Sequence, residues 1–535
     1  MALQSAEAAE PVSTSVPWVY LGSLVFLLSG AVFYLYLAHV LPTYDVGAVV
    51  ILAALATIMA VVFSLGIGPG FQHFLSFHLG RSEFGTVRTL VRSAILLTSL
   101  ISIASALATL LLSTVFSDLF FHTGAYEPVI EILAVYSGLM TANSTLQSVL
   151  LGLQRFVAYS VVLMVGSLAS YGLALGLLLL WTGVDAIVVG WTLGAALGCG
   201  IAVAIVVRTS RARYGRAVGL GEADTPSLHR DILAYSLPLF VWSILATGAT
   251  YVDRLVLASV ASLASVGVYN YALLIAAGSM VVVGPFSTIL VSKGSKLFGQ
   301  QNQEEIRAMT RGATTLIALV YLPMGLGIAA LGPLLLRYLA GPGFVAASLP
   351  LLVLLLISGV FIPSTILSSI AASTRRTLAF AKAAALALIA NVLLSILLVP
   401  RLGMLGAAIG NSSMVWVPFT VFYLELRGTG FIAFDLDSLT RIWLASASMA
   451  LVVGVPLWIL NYNLLVVPVL VGAGLVYLGV MLRLLEAISN ETAATLVRLL
   501  PWWLGRLRFV ICWLAPEYRA EAAPPTSGPG PTYSR

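Results

Sequence analysis

Charged residues that fall inside apolar segments are the first candidates for chemistry. Asp253 and Arg254 are adjacent in the segment Tyr251-Val252-Asp253-Arg254, at the end of a long apolar run. A charge at the centre of a membrane helix costs about 2.5–3.5 kcal/mol by insertion scales, so it must find a partner or water. Arg254 could face a cleft and contact an anion, with Asp253 as its partner. Alternatively, the pair marks a helix end and reaches the membrane interface.

Three further polar residues stand in apolar surroundings. His39 ends the first apolar run and can titrate in the physiological range, although an interfacial histidine without a coupling role is an alternative. Asn143 and Gln147 are four residues apart and share a helix face. They could line a polar cavity and bind sugar hydroxyls, or they could simply join neighbouring helices by hydrogen bonds.

The sequence contains none of the common catalytic constellations. It has no Gly-rich phosphate loop followed by Lys-Ser or Lys-Thr, no His-Glu-x-x-His and no paired-Cys metal spacing. The longest polar segment between apolar runs, about 208–231, is too short for a nucleotide-binding domain. We therefore expect no enzyme activity, no ATP hydrolysis by this chain alone, no metal and no cofactor.

Composition indicates that the solvent of this chain is a lipid bilayer. Of the 535 residues 60% are hydrophobic and only 9% are charged, and the mean hydropathy is +1.03. Soluble globular chains carry about 25% charged residues. The net charge of +6 is spread over many short loops, so we interpret it as membrane orientation and expect no nucleic-acid partner.

Apolar runs of roughly 20 residues predict an all-α polytopic protein with about 14 transmembrane helices. The predicted helices are 17–38, 46–67, 93–116, 129–152, 159–181, 186–207, 232–252, 265–291, 312–336, 348–371, 379–400, 404–426, 441–461 and 463–483. Prolines inside the second half, at 238, 285, 323, 363 and 418, could kink helices there.

The distribution of Lys and Arg predicts the orientation. With the N-terminus inside, 24 of the 27 basic residues fall on the cytoplasmic side, and only Arg254, Arg337 and Arg401 fall outside. Both termini are therefore predicted to be cytoplasmic.

The two halves of the chain match at a fixed offset of 220 residues. Asp45-Val46-Gly47 aligns with Ser265-Val266-Gly267, Arg155 with Arg375, and Gly183 and Gly190 with Gly403 and Gly410. Six helices followed by six in the same orientation form a parallel repeat, which predicts two lobes around a central cleft. In addition, Gly190, Gly194 and Gly198 are spaced for close helix packing.

These patterns predict six regions along the chain. They are a cytoplasmic N-terminal tail (1–16), an N-lobe of six helices (17–231), a C-lobe of six helices (232–440), two C-terminal helices (441–483), an interfacial helix (484–518) and a disordered tail (519–535).

Four segments resemble one family, the polysaccharide and oligosaccharide-lipid flippases of the multidrug/oligosaccharidyl-lipid/polysaccharide (MOP) exporter superfamily. Ala38–Gly47 (AHVLPTYDVG) is similar to the family's end of helix one, and 251–257 (YVDRLVL) with 265–269 (SVGVY) to its helices seven and eight. The segments 339–347 (LAGPGFVAA) and 398–408 (LVPRLGMLGAA) resemble the hinge before helix ten and the turn between helices eleven and twelve.

The resemblance implies a MATE-like fold whose central cavity opens alternately to the two sides of the membrane. It implies as cargo a polyprenyl-linked oligosaccharide, whose head group crosses through a cationic cavity while the lipid tail stays in the bilayer. Our candidates for residues that line this cavity are Arg254, Asp253, Tyr251, His39, Asn143, Gln147, Gln72 and His73. Two positions depart from the family pattern, because His39 stands where arginine is usual and the segment with Gln72 and His73 lacks its usual arginine.

Several alternatives remain open at this stage. A cation-coupled multidrug exporter of the same superfamily and a peptidoglycan-precursor flippase share the fold, and a non-transporting scaffold for glycosyltransferases is a different class. We expect a multi-pass protein of the cytoplasmic membrane whose partners are the lipid-linked substrate, membrane lipids and glycosyltransferases or a polymerase of the same pathway.

Overall fold

The structure is a computed structural model that describes residues 12–181, 183–214, 225–280, 283–374, 376, 378–460, 466–487 and 513. Throughout these ranges the backbone forms helices and turns, and no strand occurs in them. The predicted all-α class is therefore confirmed.

The first half of the chain contains nine α-helices within the described residues. They are α1 (Val12–Val40), α2 (Thr43–Ser64), α3 (Ile67–Gly80), α4 (Phe84–Leu111), α5 (Ser113–Phe116), α6 (Glu127–Gly152), α7 (Phe156–Leu180), α8 (Val184–Tyr214) and α9 (Thr225–Val260). A short π-helical turn (Ser117–Phe121) and a 3₁₀ turn (Gly124–Tyr126) join α5 to α6.

The second half contributes nine more within the same described ranges. They are α10 (Leu263–Met280), α11 (Gly284–Gly299), α12 (Gln303–Leu339), α13 (Ser348–Val360), α14 (Pro363–Ser373), α15 (Leu378–Leu402), α16 (Met404–Leu426), α17 (Leu436–Ile459) and α18 (Val467–Leu484), with a 3₁₀ turn at Pro342–Ala347.

Fourteen segments of the described chain are long and apolar enough to cross a membrane, which matches the predicted number. Large apolar side chains are exposed along these helices, with Leu111 81% and Leu180 84% exposed. Such surface is unfavourable in water, and its natural environment is lipid.

The predicted end of the second span is wrong, and so is the predicted loop after it. We expected a helix over 46–67 and a loop beyond it, but α2 ends at Ser64 and the separate helix α3 follows. Leu65 and Gly66 adopt positive φ angles of 48° and 64°, which end α2 and redirect the chain. Glycine adopts this conformation without steric cost, so Gly66 allows the turn.

Two helices that were predicted to be continuous are interrupted. The predicted helix 265–291 divides into α10 and α11, and Pro285 is the second residue of α11. The predicted helix 348–371 divides into α13 and α14, and α14 begins at Pro363. Proline lacks a backbone N–H and disfavours helical geometry at the residue before it, so it is favoured at a helix start.

Helix ends support the internal repeat. Helices α1 and α9 end at Val40 and Val260, α2 and α10 begin at Thr43 and Leu263, and α8 and α16 begin at Val184 and Met404. Each pair is separated by the predicted 220 residues. The division into two lobes stays a prediction. The predicted interfacial helix 484–518 and the predicted tails 1–16 and 519–535 lie almost entirely outside the described residues, so they also stay predictions.

The chain folds into two compact units. The first comprises Met1–Leu274, Leu335–Pro350 and Ala384–Met414, and the second comprises Ile275–Leu334, Leu351–Ala383 and Val415–Arg535. Each has its own apolar core: Phe71, Leu90 and Val149 are among the buried residues of the first, and Ile317 and Ile442 among those of the second.

The glycine stripe of α8 packs against the backbone of α7, as the sequence predicts. A Cβ added at Gly190 would lie 2.3 Å from Ala174 Cα, and one added at Gly194 would lie 2.2 Å from the backbone nitrogen of Ser170. Gly198 faces Gly166 in the same way, at 3.3 Å. These glycines therefore allow the two helix backbones to touch.

Asp435 fixes the start of α17 within the second unit. Its carboxylate accepts a hydrogen bond from the backbone N–H of Ser438 at 3.1 Å and pairs with Arg311 at 3.0 Å. Partial burial acts to raise the pKa of Asp435, but these bonds outweigh it and hold the pKa below its ordinary value. The charged carboxylate thus caps the helix N-terminus.

We predict that Gly194→Ala destabilises the protein by about 1–3 kcal/mol, because the added methyl group has no room against α7. The measurement is the thermal midpoint of the purified protein in detergent. Gly200→Ala on the same helix is the matched control, since its Cβ meets no atom within 4 Å. Equal midpoints for the two variants would contradict this packing.

We also predict that Asp435 makes stability depend on pH. The lowered pKa of the folded state means that its contribution is present above the unfolded value of about 3.9 and is lost as the pH falls through the folded value. Asp435→Asn keeps the cap and should remove this acid-sensitive part, whereas Asp435→Ala should also cost about 1 kcal/mol at neutral pH. Identical acid profiles for wild type and Asp435→Asn would be the contrary result.

Candidate functional site

Helix α9 places Asp253 and Arg254 well inside its length. It continues to Val260, and the seven residues beyond Asp253 correspond to about 10 Å of helix. The predicted helix end at residue 252 is therefore wrong, and with it the interpretation of a pair that marks a helix end. All residues of the site described next belong to the first unit.

The Asp253 side chain is completely buried. Its Oδ2 accepts hydrogen bonds from the Tyr269 hydroxyl of α10 at 2.8 Å and from Asn411 Nδ2 of α16 at 3.1 Å. Its Oδ1 is equally buried and has no partner among the described residues. Half of the carboxylate is thus held in place, and the other half remains available.

More polar groups surround this carboxylate on α15 and α16. Asn391 donates to the Ala249 carbonyl of α9 at 2.9 Å and accepts from the Ser395 hydroxyl at 3.0 Å, and all three residues are buried. We call Asp253, Tyr269, Asn391, Ser395 and Asn411 the polar network. Its single carboxylate among amide and hydroxyl oxygens has the chemistry to hold a proton or a hard monovalent cation.

Arg254 and Asp253 form no close ion pair, although the guanidinium lies near enough to the carboxylate for electrostatic interaction. Successive residues point in different directions around a helix, so the two side chains enter different surroundings. The Arg254 guanidinium lies 5.1 Å from the centre of the Tyr251 ring, one turn back on α9. Its buried Nε has no hydrogen-bond partner in the described part of the chain.

Four tyrosines from four helices lie close to one another, and two of them, Tyr34 and Tyr251, lie close to this guanidinium. Tyr34 of α1 lies close enough to Tyr136 of α6, Tyr171 of α7, Tyr251 and Arg254 for electrostatic interaction. All four rings are partly exposed although they lie among packed helices. We call Tyr34, Tyr136, Tyr171 and Tyr251 the tyrosine cluster.

Two apolar aromatic residues support the tyrosine cluster from behind. The ring of Phe33, which is buried, lies 5.0 Å from that of Tyr171 and 5.8 Å from that of Trp191. The ring of Trp191 also lies 5.6 Å from that of Tyr136. These contacts join α1, α6, α7 and α8 and fix the orientation of the rings.

The internal repeat relates aromatic residues in and around the tyrosine cluster to polar residues of α9, α15 and α16. Residues 220 apart occupy matching helix positions, and the matching pairs are Phe33 and Asp253, Tyr34 and Arg254, Tyr171 and Asn391, and Trp191 and Asn411. In each pair the first half supplies an aromatic side chain and the second half a polar one. The two halves have therefore diverged at equivalent positions into two different environments.

His39 lies apart from this arrangement. It is exposed at the end of α1, and its Nδ1 is 2.8 Å from the carbonyl oxygen of Leu35, to which it donates. This geometry fixes the tautomer in which Nδ1 carries a proton. A role for His39 in binding stays a prediction.

Asn143 and Gln147 lie on α6, as predicted. Asn143 Nδ2 donates to the Ala195 carbonyl of α8 at 2.9 Å, which is the interhelical bond that we gave as the alternative. Its Oδ1 is buried without a partner among the described residues, so part of the amide stays free. Gln147 is half-buried one turn further along.

Gln72 and His73 line a separate groove on α3. This groove has a volume of about 560 Å³ and also includes Ser76, Phe77 and Tyr235. The His73 ring stacks on that of Tyr235 of α9, with centres 4.5 Å apart and planes tilted by 13°. The groove does not include Arg254, so these two residues form a second candidate surface.

Of the predicted site residues, the structure thus brings together Asp253, Arg254 and Tyr251. Sequence reasoning missed the polar partners on α10, α15 and α16. Asn391 and Asn411 carried a detectable signal, because each is an amide within an otherwise apolar helix. Tyr34 and Tyr171 carried none, since isolated tyrosines are ordinary in membrane helices.

We predict that Tyr269→Phe destabilises the protein by about 1.5–3 kcal/mol, because it removes a buried hydrogen bond to a carboxylate. The measurement is again thermal unfolding in detergent. Tyr20→Phe serves as the control, since Tyr20 is 73% exposed on α1. An unchanged midpoint for Tyr269→Phe would contradict the bond to Asp253.

Solved structures share this fold at low sequence identity. A lipid II flippase, MurJ, in an inward closed conformation matches with a TM-score of 0.64 and 14% identity, covering 86% of this chain and 97% of its own. A multidrug resistance MATE family transporter of the MOP superfamily, in an inward-facing conformation, matches with a TM-score of 0.62 and 14% identity. The match covers 75% of this chain and 95% of the transporter. A MOP superfamily transporter from Pyrococcus furiosus matches with a TM-score of 0.52 and 18% identity. The match covers 78% of this chain and 94% of the transporter.

The sequence itself matches one protein family. Residues 14–291, slightly more than half of the chain, match the family described as polysaccharide biosynthesis protein. A search of curated proteins finds no match. The resemblance noted in the sequence is confirmed, and the chain belongs to the polysaccharide biosynthesis protein family, with the fold of the MOP superfamily transporters.

Proposed function

We propose that this protein is a flippase that moves a polyprenyl-(di)phosphate-linked oligosaccharide across the cytoplasmic membrane by alternating access, for assembly of a cell-surface polysaccharide or glycoconjugate. The observation that carries the proposal is the Arg254 guanidinium, which is embedded among tyrosines within a membrane helix and has an unpartnered Nε. Family membership and the fold shared with a lipid II flippase support it.

The physical problem of this cargo is its head group. A phosphate or diphosphate cannot enter hydrocarbon without losing most of its hydration, whereas the apolar polyprenyl tail dissolves in hydrocarbon. Arginine always carries its charge and presents several N–H donors that match phosphate oxygens. Arg254 therefore offers the head group a replacement for water while the tail remains in lipid.

The orientation predicted from the basic residues gives this contact a position in the membrane. Helix α9 then runs from the cytoplasm outward, and Arg254 lies about 9 Å before its end. Both termini face the cytoplasm, where glycosyltransferases would deliver the loaded lipid. A polymerase would act on the other side of the membrane, after the transfer. The protein performs no chemistry on the cargo, so an ion gradient, the membrane potential or product removal drives the transfer.

One observation favours a second candidate, a cation-coupled multidrug exporter of the same superfamily. Such exporters need a buried acidic group that binds and releases a cation, and Asp253 is buried with one free carboxylate oxygen. The same group could couple a flippase to a cation, so Asp253 alone does not distinguish the two functions. The charge of the cargo does distinguish them, because Arg254 attracts anions and repels cations.

The test compares cargoes in proteoliposomes that contain the purified protein. Wild type should translocate a polyprenyl diphosphate-linked oligosaccharide, and Arg254→Ala should lower the rate by about tenfold to a hundredfold, the equivalent of one hydrogen bond to a charged group. Arg254→Lys should retain part of the rate, because it keeps the charge and loses the two-pronged contact.

Arg401→Ala is the matched control, because Arg401 is exposed near the end of α15. A rate for Arg254→Ala equal to that of wild type would refute the proposed anion contact. If the protein exported a lipophilic cation in a cation-coupled manner and did not move the lipid-linked sugar, the exporter function would be correct and the flippase function wrong.

A further inference from the structure

The tyrosine cluster has a feature that ordinary aromatic packing does not explain. None of the four hydroxyls, those of Tyr34, Tyr136, Tyr171 and Tyr251, has a hydrogen-bond partner among the described residues. A fully buried tyrosine hydroxyl normally finds a partner. These four hydroxyls are not among the buried atoms that lack one, so they remain accessible to a ligand. Phenylalanine would serve equally well if packing were the only role of these rings.

The completely enclosed tyrosines of the same chain follow the usual rule. Tyr269 donates to Asp253, Tyr271 donates to the backbone carbonyl of Tyr34, and the Tyr321 hydroxyl lies 3.2 Å from that of Ser279. Each of these three side chains is at most 2% exposed. The hydroxyls without a partner thus belong to tyrosines that are at least partly exposed, and the cluster brings four of these hydroxyls together.

The cluster combines three kinds of contact. Ring faces offer apolar surface, the phenols both donate and accept hydrogen bonds, and the guanidinium binds anions. A pyranose ring has apolar C–H faces and polar hydroxyls at its rim, so it matches the first two. A phosphate attached to that sugar matches the third.

We propose that Tyr34, Tyr136, Tyr171 and Tyr251 form a carbohydrate subsite that holds the sugar directly attached to the phosphate bound by Arg254. The inference rests on the proposed function and deepens it, because it assigns sugar recognition to the first unit. The spacing agrees with adjacent groups of one ligand, since the guanidinium carbon lies 5.1 Å from the Tyr251 ring centre.

A lipophilic cation is the competing ligand for a ring of tyrosines, because aromatic faces attract cations. The permanent charge of Arg254 on the Tyr251 face opposes that ligand, and the same charge favours a sugar phosphate. The subsite therefore favours a sugar next to an anion over a drug cation.

The transport test uses two cargoes that differ only in the sugar, a polyprenyl diphosphate with one attached sugar and the bare polyprenyl diphosphate. Tyr136→Phe and Tyr171→Phe keep the rings and remove only the hydroxyls, so the fold should be retained. Each should slow the sugar-bearing cargo by about fivefold and leave the bare cargo unchanged. Tyr20→Phe, on an exposed position, is the matched control and should alter neither.

Equal slowing of both cargoes would assign the hydroxyls a structural role and overturn the subsite. Unchanged rates for both would overturn it as well.

A binding experiment separates the subsite from the flippase activity. A hexose 1-phosphate should raise the thermal midpoint of the wild-type protein more than inorganic phosphate does, and the double variant Tyr136→Phe/Tyr171→Phe should lose this difference. If wild type moved neither cargo but showed the difference in binding, the proposed function would fail and the subsite would stand. Equal effects of the two ligands on wild type, or tyrosine-dependent binding of a lipophilic cation instead, would overturn the subsite.

Discussion

The cost of placing charge inside a membrane helix governs this site. Asp253 and Arg254 are neighbours on α9, and each charge must be compensated without water. Because neighbours on a helix point in different directions, each side chain makes its closest contacts with different residues, although the two charges also interact with each other. The carboxylate receives hydrogen bonds from Tyr269 and Asn411. The guanidinium lies beside the face of Tyr251 and keeps an unpartnered Nε. One helix thus presents an anchored anion and an incompletely satisfied cation, and the second is the group that a negatively charged cargo would meet.

The internal repeat explains how a single fold supplies both environments. Matching positions in the two halves are aromatic in the first, such as Phe33 and Trp191, and polar in the second, such as Asp253 and Asn411. Duplication provides two equivalent frameworks of helices, and substitution at a few positions then gives them different chemistry. The close glycine contacts of α8 with α7 lie outside this divergence, and they hold the framework at short helix-to-helix distances. In our proposal the aromatic residues of the first half contact the sugar, and the polar residues of the second half stabilise the charged helix.

Much of the fold could be predicted because its signals are local. The length of the apolar runs predicted fourteen spans, the 220-residue offset predicted matching helix ends, and glycine spacing predicted that α8 packs closely against another helix. Helix boundaries were wrong where the backbone turns inside an apolar run, because hydrophobicity does not indicate backbone geometry. These places are Leu65 and Gly66 and the breaks before Pro285 and Pro363. The site could be predicted only in part. Arg254 was visible as a charge in an apolar run, but the tyrosine cluster depends on how four helices are rotated against one another, which no local pattern encodes.

Direct binding of an anionic head group to the purified protein tests the central claim most directly. Isothermal titration of wild type and Arg254→Gln with a short-chain prenyl diphosphate in detergent, with the matching prenyl alcohol as reference ligand, isolates the contribution of the charge. The account predicts that wild type binds the diphosphate at least tenfold more tightly than the alcohol and that Arg254→Gln loses this preference. The same preference in both proteins would contradict the account, because the anion would then be bound elsewhere.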